Sequence, residues 1–207
     1  MSDIINIRQL EGGNPIEYQR KQSLRDELME MMRTLHPIES ENLLYRKGGK
    51  IFSVNINANI HNVEGTITPI PKKKIVFIPV SPQVRTRNVN IQIYLGERGK
   101  NILTFFGDYL SIEGMNNAVI LVNSDHLINN NAQNIPFSVG RYTFNSWAMD
   151  ESPSVSGLHM VFTVVQALNY DRYLAVYDES TNGSFVKTTP ITGDGYVELP
   201  ITTVCRS

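Results

Sequence analysis

The sequence predicts a mainly β protein: an antiparallel sandwich or jelly-roll-like domain preceded by an N-terminal amphipathic α-helix. Apolar residues recur at helical spacing near the start of the chain, and with a period of two after Gly49. Many short strand-like runs follow, separated by turn-forming clusters and without alternating helices. A chain of 207 residues suits one domain with an appendage. We therefore predict a helical segment at 1–49 and a β-rich domain at 50–207.

The helix has clear signals at both ends. Asn14 is a suitable N-cap, Pro15 suits the first helical position, and Glu17 is the reciprocal partner of a capping box. Pro37 disfavours helical angles at the residue before it. The sequence therefore predicts one helix over residues 15–36.

The apolar stripe of this helix allows two interpretations. It could pack on the body of the domain, or it could dock on a second chain, since methionine side chains adapt to varied partners. For the second case we assign self-association to four residues, and we expect a homo-oligomer. These residues are Leu28, Met31, Met32 and Leu35.

Alternating segments define the predicted strands and their buried face. We expect Phe144, in the run 141–148, to lie in the core rather than on a binding surface. The other strand-like runs are 75–80, 101–106, 118–122, 158–168, 173–177 and 196–201. The residues predicted to be mainly buried are Phe52, Val54, Ile56, Val89, Ile91, Ile93, Val161 and Val164.

Charge is unevenly distributed along the chain, although the net charge is only −1. Residues 46–100 carry ten cations against two acids. A local excess of this kind attracts polyanions, so we predict binding of single-stranded RNA or another polyanion. Alternatively, the cations could protect exposed strand edges from aggregation. The predicted nucleic-acid-binding residues are Arg46, Lys47, Lys50, Lys72, Lys73, Lys74, Arg85, Arg87, Arg98 and Lys100.

Motifs for catalysis and cofactor binding are missing from the sequence. Its four histidines are not paired at metal-ligand spacing, and Cys205 is the only cysteine. No nucleophile elbow, phosphate-binding loop or dinucleotide fingerprint occurs. We therefore predict no enzyme activity, no catalytic residue, no cofactor and no metal. A hydrolase whose acidic residues leave no motif is the remaining enzymatic alternative.

The chain shows no targeting signal and no membrane span. Its first residues lack the basic and apolar regions of a signal peptide, and no apolar run approaches the roughly 18 residues of a spanning helix. We therefore predict an intracellular location.

One pattern resembles a known group of proteins. Leu95-Gly96-Glu97 ends a strand-like run where the thirty-kilodalton movement protein superfamily has Leu-x-Asp, and Gly157 precedes a later strand. Over about residues 50–177 the chain resembles plant-virus jelly-roll proteins, either these movement proteins or related coat proteins. The resemblance implies a non-catalytic viral structural or transport protein of movement, coat or matrix type that self-associates and binds RNA. For such a protein the intracellular location would be the host cytoplasm or the virion. A protein-binding β-sandwich adaptor without nucleic acid is the alternative.

Overall fold

The computed structural model describes eight stretches of the chain, which are residues 14–61, 66–80, 89–96, 101–106, 109–113, 119–123, 133–148 and 153–190. One helix is described, α1 (Pro15–Thr34), and a short 3₁₀ turn spans Asn57–Asn59. The strands are β1 (His36–Pro37), β2 (Asn42–Lys47), β3 (Lys50–Asn55), β4 (Thr68–Pro69), β5 (Ile75–Pro79), β6 (Val89–Leu95), β7 (Asn101–Phe106), β8 (Tyr109–Glu113), β9 (Val119–Asn123), β10 (Phe137–Gly140), β11 (Trp147–Ala148), β12 (Met160–Gln166), β13 (Arg172–Asp178) and β14 (Ser184–Pro190).

The described strands form three sheets. A small sheet has the order β1-β2-β3, a second sheet has the order β11-β10-β12-β13-β5, and a third has the order β4-β14-β6-β7-β8-β9. Paired strands run antiparallel, except that β10 and β11 are parallel. The predicted fold class, mainly β with antiparallel sheets and an N-terminal helix, is confirmed.

The described residues form two apolar cores, which lie between three layers. One core lies between the two larger sheets and includes Met160, Phe162 and Val164 of β12. The other joins the five-stranded sheet to α1 and the small sheet, and includes Val161 and Val165 of the same strand. Side chains of a strand point alternately to its two faces, so β12 is buried on both. This explains why Val161 and Val164, on opposite faces, are both 0% exposed, as predicted.

Helix α1 begins as predicted and ends two residues earlier. The side chain of Asn14 accepts a hydrogen bond of 3.0 Å from the backbone N–H of Ile16. The last helical residue is Thr34, not His36. His36 instead lies in β1, where its extended backbone pairs with Leu44 of β2 in the small sheet.

The stripe assigned to self-association faces the protein's own core. Leu28, Met31, Met32 and Leu35 are 0–1% exposed and belong to the core between α1 and the five-stranded sheet. Side chains in this position are not accessible to a second chain while the helix stays docked.

The predicted burial holds for some of the other core candidates and fails for one of them. Ile56, Ile91 and Ile93 are buried, and the side chain of Val89 lies outside the described residues. The prediction was wrong for Phe52, which is 41% exposed, and Val54 is only half-buried.

The position of β3 in the fold explains this difference. Among the described strands, β3 pairs only with β2, so it is the edge of the small sheet. Its first four residues are exposed, and Val54 packs partly against the core beside α1. The ring of Phe52 stacks on Tyr45 of β2 with centroids 5.5 Å apart, which replaces burial in a core.

Two further predictions concern segment boundaries. The strand-like run 141–148 is mostly a turn, with only Trp147–Ala148 in a strand. Phe144 is half-buried against the core between α1 and the five-stranded sheet. The division between residues 49 and 50 stays a prediction, although β2 and β3 pair with each other across it.

Within the described residues, no helix has the length and apolar composition of a membrane-spanning helix.

A distant segment closes the C-terminus of α1. The side-chain amide of Asn134 donates to the carbonyl oxygens of Met32 at 3.2 Å and of Leu35 at 2.6 Å. Its backbone N–H donates to the carbonyl of Arg33 at 2.9 Å. Helix ends leave carbonyl groups without partners within the helix, so Asn134 supplies hydrogen bonds that this buried end requires.

We expect Asn134→Ala to lower the free energy of unfolding by about 1–3 kcal/mol, because two buried carbonyl groups lose their donor. Chemical denaturation measures this change. The exposed neighbour provides a matched control, since Gln133→Ala should change stability by less than about 0.5 kcal/mol. Equal effects of the two substitutions would contradict the capping role of Asn134.

Candidate functional site

Three loops meet beside the ends of strands from both large sheets. The first follows β10, the second precedes β12, and the third carries the chain from β13 in one sheet to β14 in the other. We call them loop 1 (residues 141–146), loop 2 (the described residues 153–158) and loop 3 (residues 179–183).

Backbone hydrogen bonds hold the three loops together. The N–H of Arg141 in loop 1 donates to the carbonyl of Ser156 in loop 2 at 3.1 Å, and the N–H of Tyr142 donates to Gly157 at the same distance. The N–H of Thr181 in loop 3 donates to the hydroxyl oxygen of Ser156 at 3.0 Å. Ser156 therefore joins all three loops.

The buried imidazole of His159 connects loops 2 and 3. His159 is 0% exposed, and its Nδ1 accepts a hydrogen bond of 3.0 Å from the backbone N–H of Ser156. Its Nε2 lies 3.1 Å from both the carbonyl oxygen of Gly183 and the hydroxyl of Ser184. Because Nδ1 accepts, the neutral ring carries its proton on Nε2, which donates to Gly183.

Burial keeps His159 neutral. The pKa of the imidazole is lowered to about 4; burial is the largest cause, and the charge of Lys72 acts in the same direction. The charge of Asp178 and the hydrogen bond to Gly183 act in the opposite direction without offsetting burial. Protonation would also place a hydrogen on Nδ1, where the N–H of Ser156 needs an acceptor.

Glycines allow the loops to approach this closely. A Cβ atom at Gly140 would overlap the carbonyl of Gly157, and one at Gly157 would overlap the ring of Tyr142. At the end of β6, Gly96 has φ +74°, and a Cβ there would lie 2.6 Å from Ser154. Any larger residue at these three positions would force the loops apart.

Loop 3 is a closed turn with its own hydrogen bonds. The carboxylate of Asp178 accepts from the N–H of Ser180 at 2.7 Å, and the hydroxyl of Ser180 accepts from the N–H of Gly183 at 2.8 Å. Gly183 has φ +89°, a conformation that L side chains rarely adopt. These bonds present Asn182 at the tip of the loop, where it is exposed.

Two polar side chains, one from loop 1 and one from loop 3, donate hydrogen bonds to loop 2. Arg141 of loop 1 is exposed, and its Nε donates to the carbonyl of Val155. Asn182 of loop 3 donates from its side-chain amide to the preceding carbonyl, that of Ser154, at 3.1 Å. Arg141 and Asn182 thus bond two adjacent residues of loop 2, of which Ser154 is half-buried.

The lysine turn before β5 lies against loop 3. The Nζ of Lys72 donates to the carbonyl of Thr181 at 2.5 Å, and Lys73 pairs with the carboxylate of Glu179. Lys74 is exposed, and its charge contributes to the lowered pKa of His61. Two of these three predicted nucleic-acid-binding lysines therefore support the turn of loop 3.

The remaining predicted cations are not gathered with these lysines. Arg46 and Lys50 are exposed on the hairpin of β2 and β3, and the Nζ of Lys47 lies 5.5 Å above the ring of Tyr177. The other four, Arg85, Arg87, Arg98 and Lys100, lie outside the described residues. Within the part of the chain that the structure describes, no three histidine, cysteine, aspartate or glutamate residues are placed to hold a metal ion.

Comparison with known proteins gives one match. Residues 137–204 match the family model of the FHA domain, a phosphopeptide-binding β-sandwich. The match covers a third of the chain and contains loops 1, 2 and 3. No curated protein and no solved structure matches the chain.

The FHA match corrects the predicted viral resemblance. Leu95, Gly96 and Gly157 have structural explanations, since Leu95 is buried in the sandwich and the two glycines admit Ser154 and Tyr142. The resemblance to plant-virus movement and coat proteins was therefore wrong.

The predicted function and partners were wrong for the same reason. The matched family recognises phosphorylated proteins, which supports the protein-binding β-sandwich alternative over an RNA-binding, self-associating viral protein. A segment with excess positive charge attracts polyanions in general, but charge along the sequence does not show whether lysines point to solvent or hold a neighbouring loop.

Sequence interpretation missed Arg141, Ser156, His159 and Asn182. The available signals were short: an arginine directly after Gly140, a serine three residues before His159, and Asn-Gly-Ser at a turn. Each signal alone is common in turns, and only their meeting in the fold gives them a joint role.

We expect stability to fall as the pH is lowered from about 6.5 towards about 4, because the unfolded state binds a proton that folded His159 does not. The lowered pKa of His61 acts in the same direction. Urea denaturation at pH 7 and pH 5 measures the change. His159→Gln should reduce this pH dependence, and His36→Gln serves as the control that removes another imidazole. A pH dependence in His159→Gln equal to that of the unmodified protein would contradict this role of His159.

Proposed function

We propose that this chain is a non-catalytic adaptor that binds a phosphorylated segment of a partner protein at loops 1, 2 and 3. The observation that carries the proposal is the convergence of Arg141 and Asn182 on loop 2, within the residues that match the FHA family. The predicted intracellular location fits such a partner and stays a prediction.

Arg141 supplies the charge that phosphate recognition requires. Its Nε is held by Val155, which fixes the guanidinium at the loop surface. The two terminal nitrogens of an arginine can donate two parallel hydrogen bonds to phosphate oxygens, and such charge-assisted pairs are the strongest hydrogen bonds in proteins. Arg141 would therefore contribute most of the preference for the phosphorylated form.

Neighbouring groups complete a site for a phosphorylated chain. The hydroxyl oxygen of Ser156 accepts from Thr181, so its own hydrogen can donate to a phosphate oxygen. The exposed side chain of Asn182 can bond the backbone of an extended segment. The ammonium group of Lys72, fixed beside Thr181, adds a second positive charge.

The cations beside loop 3, which are Lys72, Lys73 and Arg141, outnumber its two acidic neighbours, Asp178 and Glu179. Asp178 is fully buried and accepts a hydrogen bond from Ser180. Glu179 is 8% exposed and pairs with Lys73. Arg141 and Lys72 consequently give the exposed part of the site a positive field.

Binding to degenerate peptide libraries that contain phosphoserine, phosphothreonine or phosphotyrosine tests the proposal, with unphosphorylated libraries beside them. Fluorescence anisotropy should show binding to at least one phosphorylated library and much weaker binding to its unphosphorylated counterpart. Arg141→Ala should weaken the affinity by about tenfold to a hundredfold, because charge-assisted hydrogen bonds to phosphate are lost.

Arg46→Ala is the matched control, since it removes an exposed arginine from the β2–β3 hairpin and should leave the affinity unchanged. Thermal unfolding of both variants checks that the fold is retained. Equal binding of phosphorylated and unphosphorylated libraries, or undiminished binding by Arg141→Ala, would overturn the proposed function.

A further inference from the structure

One face of helix α1 extends from the core to the candidate site. Tyr18, Lys21, Arg25, Leu28 and Met32 follow one another at intervals of three or four residues, so they lie along one side of the helix. The last two are fully buried in the core beside the five-stranded sheet. The first three contact the loops and strand described below.

The first contact is aromatic. The ring of Tyr18 lies 5.3 Å from that of Tyr142 and 5.0 Å edge-on from that of Phe144, and these two rings of loop 1 also contact each other. The hydroxyl of Tyr18 lies 3.5 Å from that of Thr143. Tyr142 in turn covers Gly157, so the helix reaches loop 2 through a chain of direct contacts.

The second and third contacts are polar. Lys21 lies 4.0 Å from the carboxylate of Glu179 at the start of loop 3, which also pairs with Lys73. Arg25 donates to the hydroxyl of Ser138 in β10 at 3.1 Å and to that of Ser146 at the end of loop 1 at 3.3 Å. Both loops that carry the flanking residues of the site are thus in contact with the helix.

The C-terminal half of the helix holds these contacts in place. Leu28, Met31 and Met32 are fixed in the core, and Asn134 closes the helix end. A hydrogen-bonded helix transmits this position along its length, so Tyr18 and Lys21 meet the loops at a set distance. The helix lies outside the residues that match the FHA family, so it is an element added to the matched region.

We propose that helix α1 is a positioning element of the phosphate-binding site, in which Tyr18 holds loop 1 and Lys21 holds loop 3 in the geometry that binds the phosphorylated segment. This inference rests on the proposed function. The loops pay a smaller ordering cost on binding when the helix has already fixed them, and a preorganised site binds more tightly than a mobile one. Tyr18 and Lys21 act through the loops and need not touch the ligand.

The experiment compares variants of the full chain in two measurements. Tyr18→Ala and Lys21→Ala should each weaken binding to the preferred phosphorylated library about three- to tenfold. Hydrogen exchange should become faster at the amides of loop 1 in Tyr18→Ala and of loop 3 in Lys21→Ala, with β12 and β13 unchanged. Tyr18→Phe should restore both properties, because the ring contacts remain.

Gln19→Ala and Arg20→Ala are matched controls, since both side chains are exposed on the same helical turn. They should leave affinity and loop exchange unchanged. If the unmodified protein binds the phosphorylated library and Tyr18→Ala and Lys21→Ala bind equally well, the positioning role is overturned while the proposed function stands. If the unmodified protein binds no phosphorylated library, the proposed function fails first and the inference with it.

Discussion

Strands β12 and β13 bury side chains on both faces, and the other layers of the protein are arranged around them. One face of β12 contributes to the core between the two large sheets, and the other contributes to the core under helix α1. Strands covered on both sides have near-continuous apolar sequences, which Met160–Gln166 illustrates. The candidate site adjoins these two strands, since loop 2 precedes β12 and loop 3 follows β13.

His159 connects these buried strands to the loops of the candidate site. It directly precedes β12, is fully buried, and uses both ring nitrogens to bond residues of loop 2 and of the turn into β14. The ring performs this role only when neutral, and burial lowers its pKa to about 4. A polar group with satisfied hydrogen bonds at this position defines loop geometry more sharply than an apolar side chain could.

Charge in this protein has two uses that are easily confused in a sequence. Lys72 and Lys73 contact loop 3, and Lys21 reaches the same Glu179 from the helix, so part of the positive charge has a structural partner. Arg141 contributes a single charge, but its place beside loop 2 gives it the larger proposed role. The position of a cation relative to fixed donors therefore matters more here than the number of cations in a segment.

The sequence by itself determined the elements that local physics controls. The cap at Asn14, the helical period and the alternation around Ile91 predicted the helix, much of the core and the fold class. It did not determine the exposure of Phe52, because the edge position of β3 depends on which strands pair. Only the tertiary structure brought Arg141 and Asn182 to loop 2 and placed helix α1 beside them, since contacts between residues distant in the chain leave no periodic signal in the sequence.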